Sequence, residues 1–253
     1  MARKKSIAKT FGKLIIVIII VTITILFVSF FFNKAPHIKY PAFGIDIPPG
    51  YIIHGIDVSR YQRTINWEDV KEMEVSNIKI GFVFIKATEG TEKVDERFRR
   101  NWLGSEQAGI IKGAYHFFIA GKSGAFQAKN FLEIVQLKKG DLPPVLDVEE
   151  TYDTQPEDMI REIKIWLQKV EEACLAKPII YTNIFFYNKY LKDIFKEYPV
   201  WIAHYLQPEK PGLDNEWIFW QHSEKGRVNG IRTPVDFNVF EGDSSSFANL
   251  LIK

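Results

Sequence analysis

Two acids, Asp147 and Glu149, stand two positions apart in the stretch PPVLDVEE and are the residues best suited to chemistry in this sequence. Side chains at positions i and i+2 of a strand point to the same face, with Cα atoms about 6.6 Å apart. Two carboxyl groups that close do not both ionise easily, so one pKa rises and one acid keeps its proton near neutral pH. Cleavage of a glycosidic bond needs such a pair: one acid protonates the leaving oxygen, and the other stabilises or attacks the cationic centre.

Three further acids follow apolar, strand-like runs, namely Asp57 in GIDVS, Glu89 after IKAT and Asp236 in PVDFN. In a parallel α/β barrel the carboxyl ends of the strands meet at one rim, which is where such barrels place their active sites. Acids hydrated at the end of a strand are the simplest alternative. A Mg²⁺ or Ca²⁺ site is the functional alternative, because clustered carboxylates bind these ions. The histidines show no HExxH or paired spacing, so no zinc site is predicted.

Aromatic residues occur at the same strand ends and predict a sugar-binding surface. Sugar rings expose apolar C–H faces that stack on flat aromatic side chains, while hydroxyl groups need amide partners such as Gln221 and Asn183. The aromatic residues concerned are Tyr115, Phe117, Tyr181, Trp201, Tyr205 and Trp220. Their shared position favours a carbohydrate site for the group rather than for each member.

The hydrophobic pattern alternates between strands and helices from Ile52 onward. Five amphipathic helices are predicted between six apolar strands, over residues 66–76, 95–108, 124–137, 155–174 and 184–196. In the fourth helix, Thr154 and Glu157 form a capping-box pattern with Pro156 in the first turn. After Val200 the helical patterns stop, and three short strand-like runs remain.

Strands that alternate with helices pair in parallel and are buried on both faces. The sequence therefore predicts an α/β fold, an irregular TIM-like (β/α)5β3 barrel of eight strands and five helices. A doubly wound open sheet is the structural alternative, although no GxGxxG motif follows a strand and no P-loop is present.

The N-terminal region predicts a membrane anchor. Residues 14–32 form 19 uncharged residues, enough to cross a bilayer, and no small-residue cleavage site follows them. Five basic residues precede this stretch and two follow it, so the N-terminus is expected in the cytoplasm and the remainder outside it. The chain then divides into a basic tail (1–13), a signal anchor (14–32), a proline-rich linker (33–50) and a barrel domain (51–253).

Charge and cysteine content exclude several classes of protein. Residues 1–40 carry seven basic residues and no acid, which leaves 26 basic and 31 acidic residues for the rest of the chain. A mildly acidic body without a basic cluster argues against nucleic acid as a partner. The single cysteine, Cys174, permits no intramolecular disulfide. We expect a monomer without a cofactor or metal.

The sequence resembles the family-25 glycoside hydrolases, the N-acetylmuramidases known as Chalaropsis-type lysozymes. The matching stretches occur in the family's order and cover nearly all of residues 52–242: GIDVSRYQ, INW, FIKATEGT, GAYHFF, PPVLDVE, IIYTN, VWIAHY, FWQHS and VDFNVF. The combination of GIDVSxxQ with DVE is specific, whereas the shorter stretches are weak singly.

The resemblance implies hydrolysis of the β-1,4 bond between N-acetylmuramic acid and N-acetylglucosamine in peptidoglycan. It implies that Glu149 is the general acid/base, that Asp147 is its partner, and that Asp57 and Asp236 complete the acidic site. Whether Asp147 attacks directly or orients the substrate's acetamido group stays open. The residues assigned to substrate binding are Tyr115, Phe117, Tyr181, Trp201, Gln221, Lys86 and Glu89. The non-enzyme alternative is a glycan-binding or wall-assembly protein on the same barrel.

Overall fold

The computed structural model describes residues 19–24, 38–213 and 217–253, in two units that divide after His37. In the first unit, residues 19–24 are helical. Within the described ranges, no helix combines the length and apolar character needed to cross a membrane. The predicted basic tail and most of the predicted anchor at 14–32 lie outside the described residues.

The second unit contains twelve strands and six α-helices among its described residues. The strands are β1 (Ile38–Tyr40), β2 (Ile45–Ile47), β3 (His54–Val58), β4 (Glu74–Val75), β5 (Ile78–Glu89), β6 (Lys93–Val94), β7 (Ile111–Phe117), β8 (Val145–Asp147), β9 (Ile179–Asn183), β10 (Val200–Ala203), β11 (Phe219–Gly226) and β12 (Val235–Phe240). The helices are α1 (Trp67–Glu72), α2 (Phe98–Gln107), α3 (Gly124–Ile134), α4 (Pro156–Cys174), α5 (Ile184–Phe186) and α6 (Ser244–Leu250).

Eight of these strands close into a barrel in the order β3-β12-β11-β10-β9-β8-β7-β5, with β5 returning to β3. The neighbours from β3 through β5, β7, β8, β9 and β10 to β11 pair in parallel. Strand β12 is antiparallel to both β11 and β3. The predicted α/β barrel is confirmed, and β12 closes it by running in the opposite direction.

The first four predicted helices correspond to α1, α2, α3 and α4, and the fifth to the short α5 followed by a π-helical turn at Tyr187–Leu191. The predicted capping box of α4 is not formed. Gln155 is the N-cap residue and makes no side-chain capping bond, while Pro156 occupies the first turn as expected. The backbone N–H of Thr154 instead donates to the carbonyl of Thr151, in the loop that precedes the helix.

Large aromatic side chains fill the barrel interior. Phe82 and Phe84 of β5 pack there against Trp201 and Phe219, with the rings of Phe84 and Trp201 stacked at 4.5 Å. Glycines on the flanking strands make the room they need. A Cβ atom on Gly55 of β3 would lie 2.5 Å from the Phe82 ring, far inside van der Waals contact. These aromatic side chains fill the barrel beneath the functional site, and one of them, Trp201, lines the cleft.

The helix α6 was not predicted, because its sequence SSSFANL has only one buried apolar anchor. Asp243 caps it by accepting a hydrogen bond from the backbone N–H of Ser246 at 2.8 Å. Phe247 reaches into the barrel interior, where its ring lies 5.0 Å from that of Phe240. The short helix therefore covers the end of the barrel at which the parallel strands begin.

The segment assigned to a linker differs from the prediction. Strands β1 and β2 form an antiparallel hairpin, and Phe43, Ile45 and Ile47 are buried in the core. The Phe43 ring packs edge-on against Phe237 of β12 at 5.2 Å. Pro48 and Pro49 follow the hairpin and end it, because a proline cannot continue a ladder of hydrogen bonds, and the barrel begins with β3.

Candidate active site

A cleft of about 290 Å³ opens at the carboxyl ends of the parallel strands. Ten of the eleven residues that the family resemblance assigned to catalysis or substrate binding line this cleft, and Glu89 is the exception. The ten are Asp57, Lys86, Tyr115, Phe117, Asp147, Glu149, Tyr181, Trp201, Gln221 and Asp236. The barrel rim therefore brings together side chains that are up to 179 positions apart in the chain.

Asp147 ends β8 and Glu149 follows it, so both carboxyl groups enter the cleft from one strand. A hydrogen bond joins the two groups. Burial and the charge of Glu149 raise the pKa of Asp147 well above its usual value, and burial also raises the pKa of Glu149. Both shifts favour the retention of a proton on the pair. Glu149 is the more accessible member, whereas Asp147 is buried.

One oxygen of Asp147 has unused hydrogen-bonding capacity. Its Oδ1 atom is buried and accepts no hydrogen bond from the residues that the structure describes. An unpaired buried acceptor is costly, so a group that binds here and donates an N–H or O–H would relieve that cost.

Asp57 and Asp236 form a second carboxyl pair on the opposite wall. They lie directly across from each other in the β3–β12 ladder and share a hydrogen bond. Burial raises the pKa of Asp57 to about 6 and that of Asp236 to about 9, the latter also through the charge of Asp57. Asp236 reaches the rim from the beginning of β12 rather than from its end, because this strand is antiparallel.

Lys86 is the one cation among the described residues that line the cleft. Its Nζ atom lies 4.3 Å from the centre of the Phe117 ring and donates to Glu89 at 2.8 Å. Glu89 also accepts a hydrogen bond from Lys93 at 2.8 Å. Glu89 thus lies outside the cleft, between two ammonium groups, and reaches the site only through Lys86.

The aromatic residues divide into two groups. Tyr115 and Phe117 are partly exposed at the cleft, as a sugar platform requires. Trp201 and Tyr181 line the cleft but are only 2% and 7% exposed, because their rings pack against each other at 4.4 Å. Trp220 is buried behind the rim and donates to the carbonyl of His204, so it contributes no surface.

The amide predicted at Asn183 has a structural role. Its side chain caps α5 by accepting a hydrogen bond from Phe186 N at 2.9 Å. Asn238 of β12 was not predicted as a site residue, but it lies next to the acids and donates a hydrogen bond to Asp57 at 2.7 Å. Its position two residues after Asp236 on one strand was the available signal.

Five residues that line the cleft were not predicted as site residues, namely Val58, Ser59, Tyr61, Gln62 and Glu224. Tyr61 lies in a 3₁₀ turn directly after β3, fixed by the reciprocal capping of Ser59 and Gln62. Glu224 reaches the rim because β11 continues past an irregularity between Gln221 and Ser223. The SxxQ pattern after a strand was a signal for Tyr61. No sequence pattern indicated the irregular register of β11 that brings Glu224 to the rim.

In the ranges that the structure describes, no group of three or more His, Cys, Asp or Glu side chains is arranged to hold a metal ion. The clustered carboxyl groups of the cleft are instead joined in two hydrogen-bonded pairs.

Paired carboxyl groups at the carboxyl ends of barrel strands are the arrangement that glycosidases use. The model of the Glycosyl hydrolases family 25 matches residues 56–231, and the chain belongs to this family.

Known proteins of this kind align over most of the chain. A YegX protein of Escherichia coli strain CFT073 is 45% identical over 227 residues, which cover 85% of this chain and 83% of that protein. Lysozyme M1 of Streptomyces globisporus is 35% identical, over 76% of this chain and 69% of its own. The crystal structure of the Streptomyces coelicolor lysozyme superposes with a TM-score of 0.70 at 33% identity, and the match covers 79% and 96% of the two chains.

Proposed function

We propose that this glycosidase hydrolyses the β-1,4 bond between N-acetylmuramic acid and N-acetylglucosamine in peptidoglycan, with Glu149 as the proton donor. The observation that carries the proposal is the hydrogen-bonded Asp147 and Glu149 pair in the cleft. Proteins named lysozyme with 33% and 35% identity support the choice of substrate.

Glu149 is assigned as the acid because it is the more accessible member of the pair at the cleft, and burial raises its pKa. Its proton passes to the glycosidic oxygen as the bond from that oxygen to the anomeric carbon breaks. The carboxylate that results then takes a proton from the water that adds to the anomeric carbon. The acid is regenerated, and one glycosidic bond is exchanged for two hydroxyl groups.

Asp147 acts on the substrate's acetamido group in this proposal. A carboxylate that attacks the sugar directly stands roughly 5–5.5 Å from the acid, whereas these two carboxyl groups are in hydrogen-bond contact. The buried Oδ1 atom suits an acetamido N–H as its missing donor. While Asp147 accepts that N–H, the acetamido oxygen attacks the anomeric carbon and forms a cyclic intermediate. Water then adds to the anomeric carbon and opens the ring of this intermediate.

We further propose that residues 14–32 anchor the chain in a membrane, with a cytoplasmic N-terminus and the barrel outside the cytoplasm. The uncharged stretch and its basic flank support this location.

The substrate is tested by incubating the full chain, in detergent, with purified peptidoglycan. Borohydride reduction of the products followed by mass spectrometry identifies the new reducing end, which we expect to be N-acetylmuramic acid. A reducing N-acetylglucosamine would overturn the bond assignment. Binding of the wall without new reducing ends would favour the binding or wall-assembly alternative. For the location, a reporter fused after Lys253 should be active only outside the cytoplasm.

A further inference from the structure

Asp57 is held by two side-chain amides. Its Oδ2 atom accepts one hydrogen bond from Gln221 Nε2 at 2.9 Å and another from Asn238 Nδ2 at 2.7 Å. Asn238 is fully buried on β12 and does not line the cleft, so it reaches the reacting groups only through Asp57. A carboxylate that accepts two N–H donors is stabilised in its charged form.

Aromatic donors fix the orientation of both amides. Trp201 Nε1 donates to Asn238 Oδ1 at 2.8 Å, and an indole N–H is a donor only. The amide oxygen of Asn238 must therefore face Trp201, which turns its NH₂ group towards Asp57. The hydroxyl groups of Tyr181 and Tyr205 donate to Gln221 Oε1 at 2.9 and 2.7 Å and orient that amide in the same way.

This arrangement gives the buried aromatic residues a role other than sugar stacking. The Trp201 ring is covered by Phe84 on one side and contacts Tyr181, so it offers almost no face to a ligand. The indole N–H of Trp201, like the two phenol hydroxyl groups, instead donates to an amide that is hydrogen-bonded to Asp57. We infer that Trp201, Tyr181, Tyr205, Gln221 and Asn238 form one donor network of positioning residues that keeps Asp57 ionised beside the Asp147 and Glu149 pair.

The inference rests on the proposed function, because the network acts on the acid of that reaction. The negative charge of Asp57 raises the pKa of both Asp147 and Glu149, so an ionised Asp57 keeps the proton on the pair. Burial alone would neutralise Asp57, and the amide donors oppose this by lowering its pKa. Charged and titratable groups face Asp57 from each neighbouring element: Asp236 of β12, Glu224 of β11, Asp147 and Glu149 at β8, Lys86 of β5, Tyr115 of β7, Tyr181 of β9 and Tyr205 after β10.

The decisive variant is Asn238→Leu, which keeps the side-chain size but removes the donor. We expect the pKa of Asp57 to rise from about 6 by about one to two pH units. The acidic limb of the profile of kcat against pH, measured with peptidoglycan, should move to higher pH by the same amount, with KM little changed. Asn130→Leu is the matched control, since this buried amide donates to the carbonyl of Gly90 away from the cleft. It should lose stability without moving the limb.

A second pair of variants guards against misfolding. Trp201→Phe keeps the stacked ring but removes the N–H that orients Asn238, so it should shift the limb in the same direction by a smaller amount. Trp220→Phe removes an equally buried indole donor, whose partner is the His204 carbonyl, and should leave the profile in place. Equal limbs in the wild type and in both network variants would overturn the inference.

The charge of Asp57 is also measurable without substrate, by NMR titration of its carboxyl carbon in the full chain. A higher midpoint in Asn238→Leu than in the wild type and Asn130→Leu supports the network, and an unchanged midpoint refutes it. A wild-type protein that cuts no peptidoglycan refutes the proposed function instead, whatever the titration gives.

Discussion

Asp57 of β3 and Asp236 of β12 lie opposite each other where these two strands pair in antiparallel, and their carboxyl groups are in hydrogen-bond contact. Two buried acids in contact cannot both be charged without a large cost. The pKa of Asp57 lies at about 6 and that of Asp236 at about 9, so near neutral pH Asp57 is the anion and Asp236 carries the proton. A β-ladder thus sets the charge distribution of the site.

The raised pKa of Asp236 predicts a pH-dependent stability gain for Asp236→Asn. In the unfolded chain this acid ionises near 3.8, and in the folded chain only near 9. The stability of the wild type is therefore greatest below the first value and falls as the pH rises towards the second. An asparagine cannot ionise and still donates to Asp57. We expect its Tm advantage to be small at pH 4 and to grow to at least about 2–4 °C at pH 9.

The measurement is thermal unfolding of both proteins between pH 4 and pH 9. Asp243→Asn is a suitable control, because this exposed helix cap has a lowered pKa and should give no such alkaline gain. A Tm difference that is constant with pH would contradict the charge assignment.

Glu149→Gln tests the proton donor. Glutamine keeps the shape and hydrogen bonding of the side chain but has no transferable proton. General acid catalysis typically contributes about 10²–10⁴-fold, so hydrolysis of peptidoglycan should fall by at least that factor. Binding of the wall should persist, because Tyr115 and Phe117 are unchanged. Asp147→Asn should also be severe, since it removes one carboxyl group of the proton-sharing pair from beside the reacting acetamido group.

The control for both variants is Asp153→Asn, four residues after Glu149. Asp153 has a φ of 58°, a conformation that asparagine tolerates as well as aspartate does. Its activity and Tm should stay close to those of the wild type. Near-normal hydrolysis by a folded Glu149→Gln protein would remove the basis of the proposed mechanism.

The alternation of strand side chains explains what the sequence could predict. Asp147 and Glu149 share a face because of period-two geometry, and the repeated strand–helix pattern places Asp57 at the same rim. Neither inference needs a contact to be known. Asp236 came to the same rim for a different reason than predicted, because its strand is reversed.

Long-range packing explains what the sequence could not predict. Nothing in VWIAHY distinguishes a tryptophan that stacks on a sugar from one that stacks on Phe84, which lies 117 positions earlier. Glu89 ends a strand in the same way as the true cleft acids, but Lys86 and Lys93 hold it outside the cleft. Side-chain partners across the barrel decide these cases, and hydrophobic periodicity carries no information on them.

Lys86→Met should shift the basic limb of the pH profile to higher pH. The ammonium group lowers the pKa of both Asp147 and Glu149, so its removal lets the acid pair keep its proton longer. Methionine preserves the length of the side chain over the Phe117 ring. Lys93→Met is the matched control, because Lys93 binds the same Glu89 from outside the cleft. The measurement is kcat as a function of pH. The prediction fails if the basic limb lies at the same pH in Lys86→Met and Lys93→Met.

Leu175 and Leu206 offer a final test in which the same change is made on two faces of the barrel. Both leucines adopt the left-handed conformation, with φ of 51° and 60°, and both are more than 90% exposed. This conformation costs a residue with a Cβ atom about 1–2 kcal/mol, while glycine adopts it freely. Leu175→Gly and Leu206→Gly should therefore each raise Tm by about 2–4 °C, less the entropy that glycine adds to the unfolded chain.

The two variants should differ in activity. Leu206 follows Tyr205, which lines the cleft, whereas Leu175 ends α4 next to the starts of the barrel strands. We expect KM for polymeric peptidoglycan to rise in Leu206→Gly and to stay unchanged in Leu175→Gly, because only the first removes an exposed apolar side chain next to a cleft residue. Steady-state kinetics on intact wall decides the matter. An equal KM in both variants would mean that the glycan strand does not extend over Leu206, and that the left-handed leucine there serves the loop alone.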